Sequence, residues 1–358
     1  IADHAENLLL LTATPHNGYT DSFASLIRML DVGAVTGPQH DPTIKKDVAK
    51  NHVVQRRRDD VKEWFKESDD ESPFPEREQD EVYVNPTKYE EDTLEAVREY
   101  GDTLMEAAKT GSSRGQTLAR WSVIHFLKRA LSSPEALRRS LSNRREKLED
   151  RLDELDDEVV EEDDAGVSED IAQANALDND PGEQYSEEEV GDRVERIVVG
   201  DRRAIDMELD VLEDVEEKAE KVTKTRDSKL QQLLKNTLRA RLNTSPRCIV
   251  FTKYTDTLEY LEEQINDSGR YDDTDVFTLH GSLSEGQRND IFNDFEDSNR
   301  AVLIATDVIS EGMNLQQACN QIIHYELPWN PNRLEQRNGR IDRYGQPERV
   351  VYIRTMVM

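Results

Sequence analysis

The last third of the chain alternates between short apolar runs and longer amphipathic stretches, and this alternation constrains the fold more than any other feature. Short apolar runs rich in β-branched residues predict strands. The predicted strands are residues 248–252, 276–279, 302–305, 322–325 and 350–353. The predicted helices between them are residues 255–264, 284–295 and 332–341. This order indicates an α/β fold with a parallel sheet covered by helices on both faces.

Polar residues follow the predicted strands. Because βαβ crossovers are right-handed, the loops after the strands collect along one edge of the sheet, where ligands bind in open α/β folds. The segments at this edge are Thr252-Lys253, His280-Gly281, Thr306-Asp307 and residues 326–328. We therefore predict a ligand site at the carboxyl edge. Two helix starts are also predicted, a capping box at Ser284 with Gln287 and an N-cap at Thr255.

The first two thirds of the chain show weaker secondary-structure patterns. Residues 8–11 predict a buried strand, residues 20–31 a helix, residues 34–52 a loop and residues 82–84 a short strand. A basic amphipathic helix pair is predicted at residues 114–147, with an apolar face for packing and a basic face suited to a phosphate backbone.

The next segment is acidic and poor in aromatic residues, which predicts helical arms at residues 146–160 and 190–224 around a disordered middle. The predicted domains are residues 1–60, the end of a first lobe; 61–147, a connector and helical insertion; 148–225, an acidic helical or disordered arm; and 226–358, a second lobe.

The formal charge of −30 is unusual for a protein that binds nucleic acid, because phosphate binding normally depends on basic patches. Residues 145–225 contain 31 acidic and 10 basic residues, a net charge of −21, whereas residues 226–358 contain 20 and 16, a net charge of −4. The nearly neutral second lobe can still present a basic groove. Two explanations of the excess of acidic residues stay open: adaptation to a salt-rich cytoplasm, or an acidic interaction arm. We favour salt adaptation, because acidic residues also crowd the loops of the second lobe.

The sequence predicts a cytoplasmic protein. No run of 18 uncharged apolar residues occurs, so no membrane association is expected. Cys248 and Cys319 lack metal-ligand spacing and are expected to be reduced thiols, and no metal site is predicted. Because the chain begins without Met inside an apolar run and ends close to another, we expect it to be part of a longer protein.

Three polar side chains near the C-terminus have helical spacing. Gln336, Arg340 and Arg343 are separated by four and three residues, so they share one face if the segment is helical. The planar guanidinium group matches phosphate oxygens, and an arginine pair suits a triphosphate. The alternative is an ordinary solvated helix surface.

Four strings, in this order, resemble motifs of the Swi/Snf-type helicase-like ATPases of superfamily two, most closely the RapA/HepA-like branch. They are LTATPHNG at residues 11–18, ATDVISEGMNLQ at 305–316, LPWNP at 327–331 and QRNGRIDRYGQ at 336–346. The resemblance covers roughly residues 1–135 and 226–358. It implies a RecA-like second lobe, preceded by the end of a first RecA-like lobe and a largely helical insertion.

The resemblance also implies residue roles. Arg340 and Arg343 would be arginine fingers that Gln336 helps to position. The residues near the nucleotide would be Gly312, Glu311 and Asp307, and Asp307 would couple nucleotide state to nucleic acid, with a helix N-cap as its alternative role. The contacts to a nucleic-acid backbone would be Lys253, His280, Gly281, Ser282, Thr306 and Asn314. Thr12 and Thr14 would link the two lobes.

The cofactors that the resemblance implies are ATP and Mg²⁺. The chain has neither a G-x-x-x-x-G-K-[ST] phosphate loop nor a strand that ends in paired Asp-Glu, so we expect the Mg²⁺ ligands N-terminal to residue 1 and expect this segment alone to be inactive. The implied activity is ATP-driven translocation on double-stranded DNA. The alternatives are an RNA-directed helicase, an RNA-polymerase-associated remodeller and a non-catalytic nucleic-acid-binding module.

Overall fold

The computed structural model describes residues 7–11, 20–38, 41–56, 58–67, 74–108, 113–156, 202–307, 315–328 and 331–358. The chain divides between Phe74 and Pro75 into two compact units. None of the described helices is both long and apolar enough to cross a membrane.

The first unit is a small helical cluster. Its elements are α1 (Thr20–Leu30), β1 (Val35–Thr36), β2 (Thr43–Ile44), α2 (Lys46–Ala49) and α3 (Arg58–Glu67). Ala24 and Ile27 of α1 pack with Ala34, Val35 and Ala49 in its core. The helix predicted at residues 20–31 is confirmed. The loop predicted at residues 34–52 is wrong, because it contains the antiparallel pair β1–β2 and the short helix α2.

The strand predicted at residues 8–11 is also wrong. Leu9 is 80% exposed and Leu11 is 85% exposed, and the segment has no regular secondary structure. A strand needs a hydrogen-bonding neighbour. Within the described part of the chain, no strand pairs with this segment.

The second unit joins a helical layer to a sheet. Its first elements are β3 (Glu76–Tyr83), α4 (Lys88–Ala108), α5 (Ser113–Ser132), α6 (Pro134–Asp156) and α7 (Arg202–Glu220). They are followed by α8 (Ser228–Gln232), α9 (Leu238–Thr244), β4 (Arg247–Phe251), α10 (Thr255–Asp267), β5 (Asp275–Leu279), α11 (Glu285–Asp297), β6 (Ala301–Ala305), α12 (Leu315–Ala318), β7 (Gln321–His324), α13 (Pro331–Asn338) and β8 (Val350–Val357). A π-helical turn, Leu233–Thr237, connects α8 to α9.

The six strands form one parallel sheet in the order β3-β8-β7-β4-β6-β5. Two apolar clusters cover its faces, one around Val250 and Ile304 and the other around Ile249 and Leu303. Alternate residues of the same strands supply the two clusters, as expected when a sheet is buried on both sides. The α/β fold class and all five predicted strands of the second lobe are confirmed.

Three local predictions need correction. The strand predicted at residues 82–84 is the end of the longer β3, which pairs with β8 from Glu76 to Tyr83. The N-cap of α10 is Tyr254 and not Thr255, which is already helical. The helix predicted at residues 332–341 ends at Asn338. The capping box at Ser284 and Gln287 is confirmed.

The helical layer consists of α4, α5, α6 and α7, so the predicted basic helix pair is confirmed as α5 and α6. Contact of its basic face with a phosphate backbone stays a prediction, and five of its arginines pair with carboxylates in the fold. The pairs are Arg129 and Arg139 with Asp256, Arg138 with Glu135, Arg144 with Glu208 and Arg145 with Glu216. These arginines hold helices together and hold the layer against α10. The predicted disordered middle of the acidic segment lies outside the described residues.

Asp227 gives the second unit a pH-dependent stability. Its carboxylate caps α8 by accepting a hydrogen bond from the Leu230 amide at 2.8 Å, and it accepts another from the Tyr260 hydroxyl at 3.1 Å. Burial raises the pKa of Asp227 from 3.8 to about 6. The folded state therefore binds this proton more tightly than the unfolded state, and the resulting stability is present below about pH 4 and is lost as the pH rises to about 6.

We expect the Asp227→Asn variant to gain stability relative to the wild type over this range. The amide cannot ionise, so the difference in free energy of unfolding should shift in its favour by on the order of 3 kcal/mol between pH 4 and pH 7. Urea unfolding of both proteins at several pH values measures this shift. A difference that does not change with pH would contradict the assignment.

Candidate nucleotide and nucleic-acid site at the sheet edge

Backbone hydrogen bonds bring the polar strand ends side by side at the carboxyl edge. The Thr252 amide donates to the Ala305 carbonyl oxygen at 3.0 Å, the Thr306 amide to Leu279 at 3.0 Å and the Tyr325 amide to Phe251 at 2.8 Å. Each bond continues the sheet ladder one residue beyond a strand. The loops after β4, β5, β6 and β7 are therefore adjacent, as the sequence predicts.

Asp307, which follows β6, holds helix α13 by its carboxylate. Arg337 donates from Nε to Oδ1 of Asp307 at 2.5 Å, and Nη1 of Arg333 lies 3.6 Å from Oδ2. The Arg337 side chain is 3% exposed, lies over the Phe251 ring and also donates to the Glu326 carbonyl oxygen at 3.3 Å. The structure thus gives Asp307 an anchoring role, while its predicted roles beside the nucleotide and as a helix N-cap stay predictions.

Arg337 is a site residue that the sequence reasoning missed. It lies four residues after Arg333, so both guanidinium groups leave the same helix face and can share one carboxylate. That spacing is the signal that could have found it.

The buried His324 is a second link between the sheet and α13. Its Nε2 lies 2.8 Å from Oδ1 of Asn338, and its ring stacks on Phe251 with centroids 5.9 Å apart. Since an amide oxygen only accepts, Nε2 carries the proton in this arrangement. Burial lowers the pKa of His324 to about 3, and the positive charge of the nearby Arg337 is the second cause of this lowering. The imidazole is therefore neutral and has a structural role.

The segment with the two predicted finger arginines lies in turns after α13, so the premise of one continuous helix is wrong. The amide of Arg340 donates to the Arg337 carbonyl oxygen at 3.1 Å, and that of Asp342 donates to Asn338 at 2.9 Å. These bonds keep the segment coiled beyond the helix end. Arg340 is half-buried, and Arg343 is exposed.

Arg77 of strand β3 fastens this segment to the edge of the sheet. Its guanidinium donates to Oδ2 of the buried Asp342 at 2.7 Å and to Oε1 of Glu335 at 3.0 Å. The sequence reasoning also missed Arg77. A single arginine in an exposed edge strand gives no signal, because its partners lie about 260 residues further along the chain.

One observation indicates that the arginine-bearing segment is suited to bind a phosphate group. The side chain of Arg343 is exposed and makes no ion pair with the described residues. Its guanidinium N–H groups are therefore available to donate hydrogen bonds to an anion. Gln336 is also exposed, on the last turn of α13. No group of three or more His, Cys, Asp or Glu side chains in the described ranges could hold a metal ion.

The predicted nucleic-acid contacts fall into two groups. His280, Gly281 and Ser282 form an accessible loop after β5, where the Ser282 hydroxyl lies 2.8 Å from Nδ1 of His280 and Arg288 donates to the Gly281 carbonyl oxygen at 2.8 Å. Thr306 is buried instead. The amine of Lys253 lies 5.2 Å from the centre of the Tyr254 ring, and burial, with Lys128 nearby, lowers its pKa well below the ordinary value.

Several predicted residues lie outside the described part of the chain. They are Thr12, Thr14, Glu311, Gly312 and Asn314. Their roles stay predictions. The described members that the fold brings to one edge are Lys253, His280, Gly281, Ser282, Thr306 and Asp307, together with the arginine-bearing segment that Asp307 anchors through Arg337.

A parallel sheet whose carboxyl edge receives an anchored, arginine-bearing segment is the arrangement expected of a helicase-like lobe. Residues 227–345 match the helicase conserved C-terminal domain. Over these residues the chain therefore resembles helicases, in agreement with the motifs.

The curated relatives match the same part of the chain. The ATP-dependent helicase YqhH of Bacillus subtilis is 43% identical over 110 residues, which cover 31% of this chain and 18% of that protein. The ATP-dependent RNA helicase FAL1 of Scheffersomyces stipitis is 31% identical over 103 residues, which cover 29% and 25%. The match thus spans about a quarter or less of these relatives.

Solved structures with similar architecture were also found. The C-terminal domain of the Sulfolobus solfataricus SWI2/SNF2 ATPase aligns with a TM-score of 0.42 and 16% identity over 79% of each chain. The core of that ATPase in complex with dsDNA aligns with a TM-score of 0.45 and 16% identity over 95% of this chain and 51% of the other.

Proposed function

We propose that the chain supplies the second motor lobe of an ATP-dependent, Swi/Snf-type translocase that acts on double-stranded DNA. One observation carries the proposal, namely an exposed Arg343 on a segment that the Arg77–Asp342 and Arg337–Asp307 pairs anchor to the sheet. A preorganised guanidinium stabilises charge on a transferring phosphoryl group without reorganising during the reaction. Such anchoring is unnecessary for an ordinary solvated arginine.

ATP and Mg²⁺ are the proposed cofactors. Arg343 and Arg340 would donate to phosphate oxygens of ATP, and Gln336 would help to orient them. Bound Mg²⁺ would neutralise phosphate charge. Among the proposed domains, residues 226–358 form this lobe, residues 61–147 the connector and helical insertion, residues 148–225 the acidic arm and residues 1–60 the end of a first lobe.

The accessible loop of residues 280–282 supports contact with a nucleic-acid backbone. Short donors and main-chain amides bind phosphate without reading bases, so little sequence specificity is expected. Thr306 and the amine of the half-buried Lys253 are shielded from solvent, and their contact with nucleic acid would require movement of their surroundings. The acidic composition and the buried, free Cys248 and Cys319 support a reducing, salt-rich cytoplasm as the proposed setting.

The proposed function predicts that the full-length protein hydrolyses ATP faster with duplex DNA than without it. The test compares steady-state ATP turnover with duplex DNA, single-stranded DNA and RNA at equal nucleotide concentration and fixed salt, since salt alone changes binding to phosphates. Stimulation by RNA alone would favour an RNA-directed helicase. DNA binding without any ATP turnover would favour a non-catalytic module.

A further inference from the structure

The carboxyl end of α5 docks on the carboxyl edge of the sheet through buried hydroxyl groups. The hydroxyl oxygens of Ser132 and Ser133 lie 2.6 Å and 2.8 Å from that of Thr257 on α10. Ser132 also donates to Oε1 of Glu326, which follows β7. Around this contact, Asp256 accepts from Arg129 and Arg139 at 2.9 Å and 2.7 Å. The helical layer therefore meets the sheet through directional bonds.

The Glu326 carboxylate accepts from three donors in two parts of the chain. Besides Ser132, the Thr252 hydroxyl donates to Oε1 at 3.0 Å, and the Lys253 amide donates to Oε2 at 3.1 Å. An ionised carboxylate only accepts, so these donor directions are fixed. Hydrogen bonds to a charged acceptor are stronger than neutral ones, and losing the charge weakens all three together.

The same residue also contacts the helix that leads to the finger arginines. The Glu326 carbonyl oxygen accepts from Nη1 of Arg337 at 3.3 Å, and Arg337 in turn pairs with Asp307. A continuous path of direct contacts thus runs from Ser132 of the helical layer through Glu326 to Arg337 of α13. The segment with Arg340 and Arg343 begins immediately after α13.

We propose that Glu326 is a positioning residue through which the helical layer sets the placement of the arginine-bearing segment, residues 339–343. Docking of α5 holds the Glu326 side chain, and its main chain helps to hold Arg337. Loosening the docking contact then moves the finger arginines away from their productive position. The catalytic consequence rests on the proposed function, whereas the mechanical consequence does not.

The test uses Ser132→Ala, Glu326→Gln and the double variant in the full-length protein. We expect each single variant to lower kcat for ATP by about tenfold, within the range of such coupling effects, with little change in KM for ATP. We also expect faster hydrogen exchange of the main-chain amides at residues 331–343, apart from Pro331, which has no amide hydrogen. If both changes act through one contact, their effects on kcat will be less than multiplicative.

Glu216→Gln is the matched control, because it alters a carboxylate of the helical layer that pairs with Arg145 away from the docking contact. It should leave kcat and the exchange of residues 331–343 unchanged. If Glu326 had only a structural role, its substitution would lower the melting temperature without selectively speeding hydrogen exchange at residues 331–343. The melting temperature of each variant is therefore measured in parallel.

Unchanged exchange at residues 331–343 in a folded Ser132→Ala variant overturns the proposal, and so does unchanged kcat in an active enzyme. If Glu326→Gln does not fold, Ser132→Ala decides alone. If the wild type shows no ATP turnover, the proposed function fails, while the exchange measurement still decides whether the helical layer positions the segment.

Discussion

Replacing Arg343 with alanine in the full-length protein is expected to lower kcat for ATP hydrolysis by about 10³-fold, while DNA binding changes little. Its guanidinium is exposed on a segment anchored by Arg77 and Arg337, so removing it takes away positive charge without disturbing the anchors. Charge that acts mainly on the transition state affects kcat more than ground-state binding. Single-turnover ATP hydrolysis and a DNA-binding titration measure the two effects separately.

Two further variants make this test specific. Arg343→Lys keeps the charge but loses the planar fork of donors, so its kcat should fall between those of the wild type and the alanine variant. Arg270→Ala removes another exposed arginine of the same lobe and should have wild-type activity. Wild-type turnover in Arg343→Ala would refute the finger assignment.

The Glu208→Ala variant is expected to lose about 3–5 kcal/mol of unfolding free energy, because it leaves a buried arginine without its counterion. Arg144 donates from Nε and Nη2 to the two carboxylate oxygens of Glu208 at 2.7 Å and 3.0 Å. The Tyr100 hydroxyl donates to the same carboxylate at 2.6 Å. All three side chains are buried where α4, α6 and α7 meet. Urea unfolding monitored by circular dichroism measures the loss.

Glu216→Ala is the matched control for this loss. Glu216 lies on the same helix, α7, and pairs with Arg145, the neighbour of Arg144, but its pair is only half-buried, with 31% and 25% of the two side chains exposed to solvent. Exposed pairs contribute about 0–1 kcal/mol, since water screens the charges and replaces the lost contacts. Equal losses in the two variants would show that burial of the Arg144–Glu208 pair is not what stabilises the helical layer.

The strands of the second lobe could be predicted because they are apolar on both faces. Strand β3 could not be predicted in full. Its residues Glu76–Glu81 are charged or polar and exposed, and only pairing with β8, about 270 residues further along, makes them a strand. Residues 8–11 gave the opposite error, since their apolar pattern suggests burial but no described strand pairs with them. A hydrophobic pattern indicates which residues are buried, whereas a strand also needs a neighbouring strand with which to form hydrogen bonds.

The candidate site also has features that could be predicted from the sequence and features that could not. The loops at the carboxyl edge and the arginines at positions 340 and 343 follow from local sequence. The anchors Arg337–Asp307 and Arg77–Asp342, the burial of Thr306 and of the Lys253 amine, and the docking of Ser132 on Glu326 do not. Each depends on a contact between residues far apart in the chain, for which local spacing gives no information.

Hydrophobic periodicity and crossover handedness act locally, so the parallel α/β lobe, the order of its strands and helices along the chain, and the edge at which polar loops collect could all be predicted from the amino-acid sequence. Which charges are available to a ligand depends on contacts that form only in the folded protein. Four arginines of α5 and α6 pair with carboxylates of other helices, and Arg343 stays exposed. The physical reason is that a side chain's charge is set by its type, while its availability is set by the partners that folding brings within hydrogen-bonding distance.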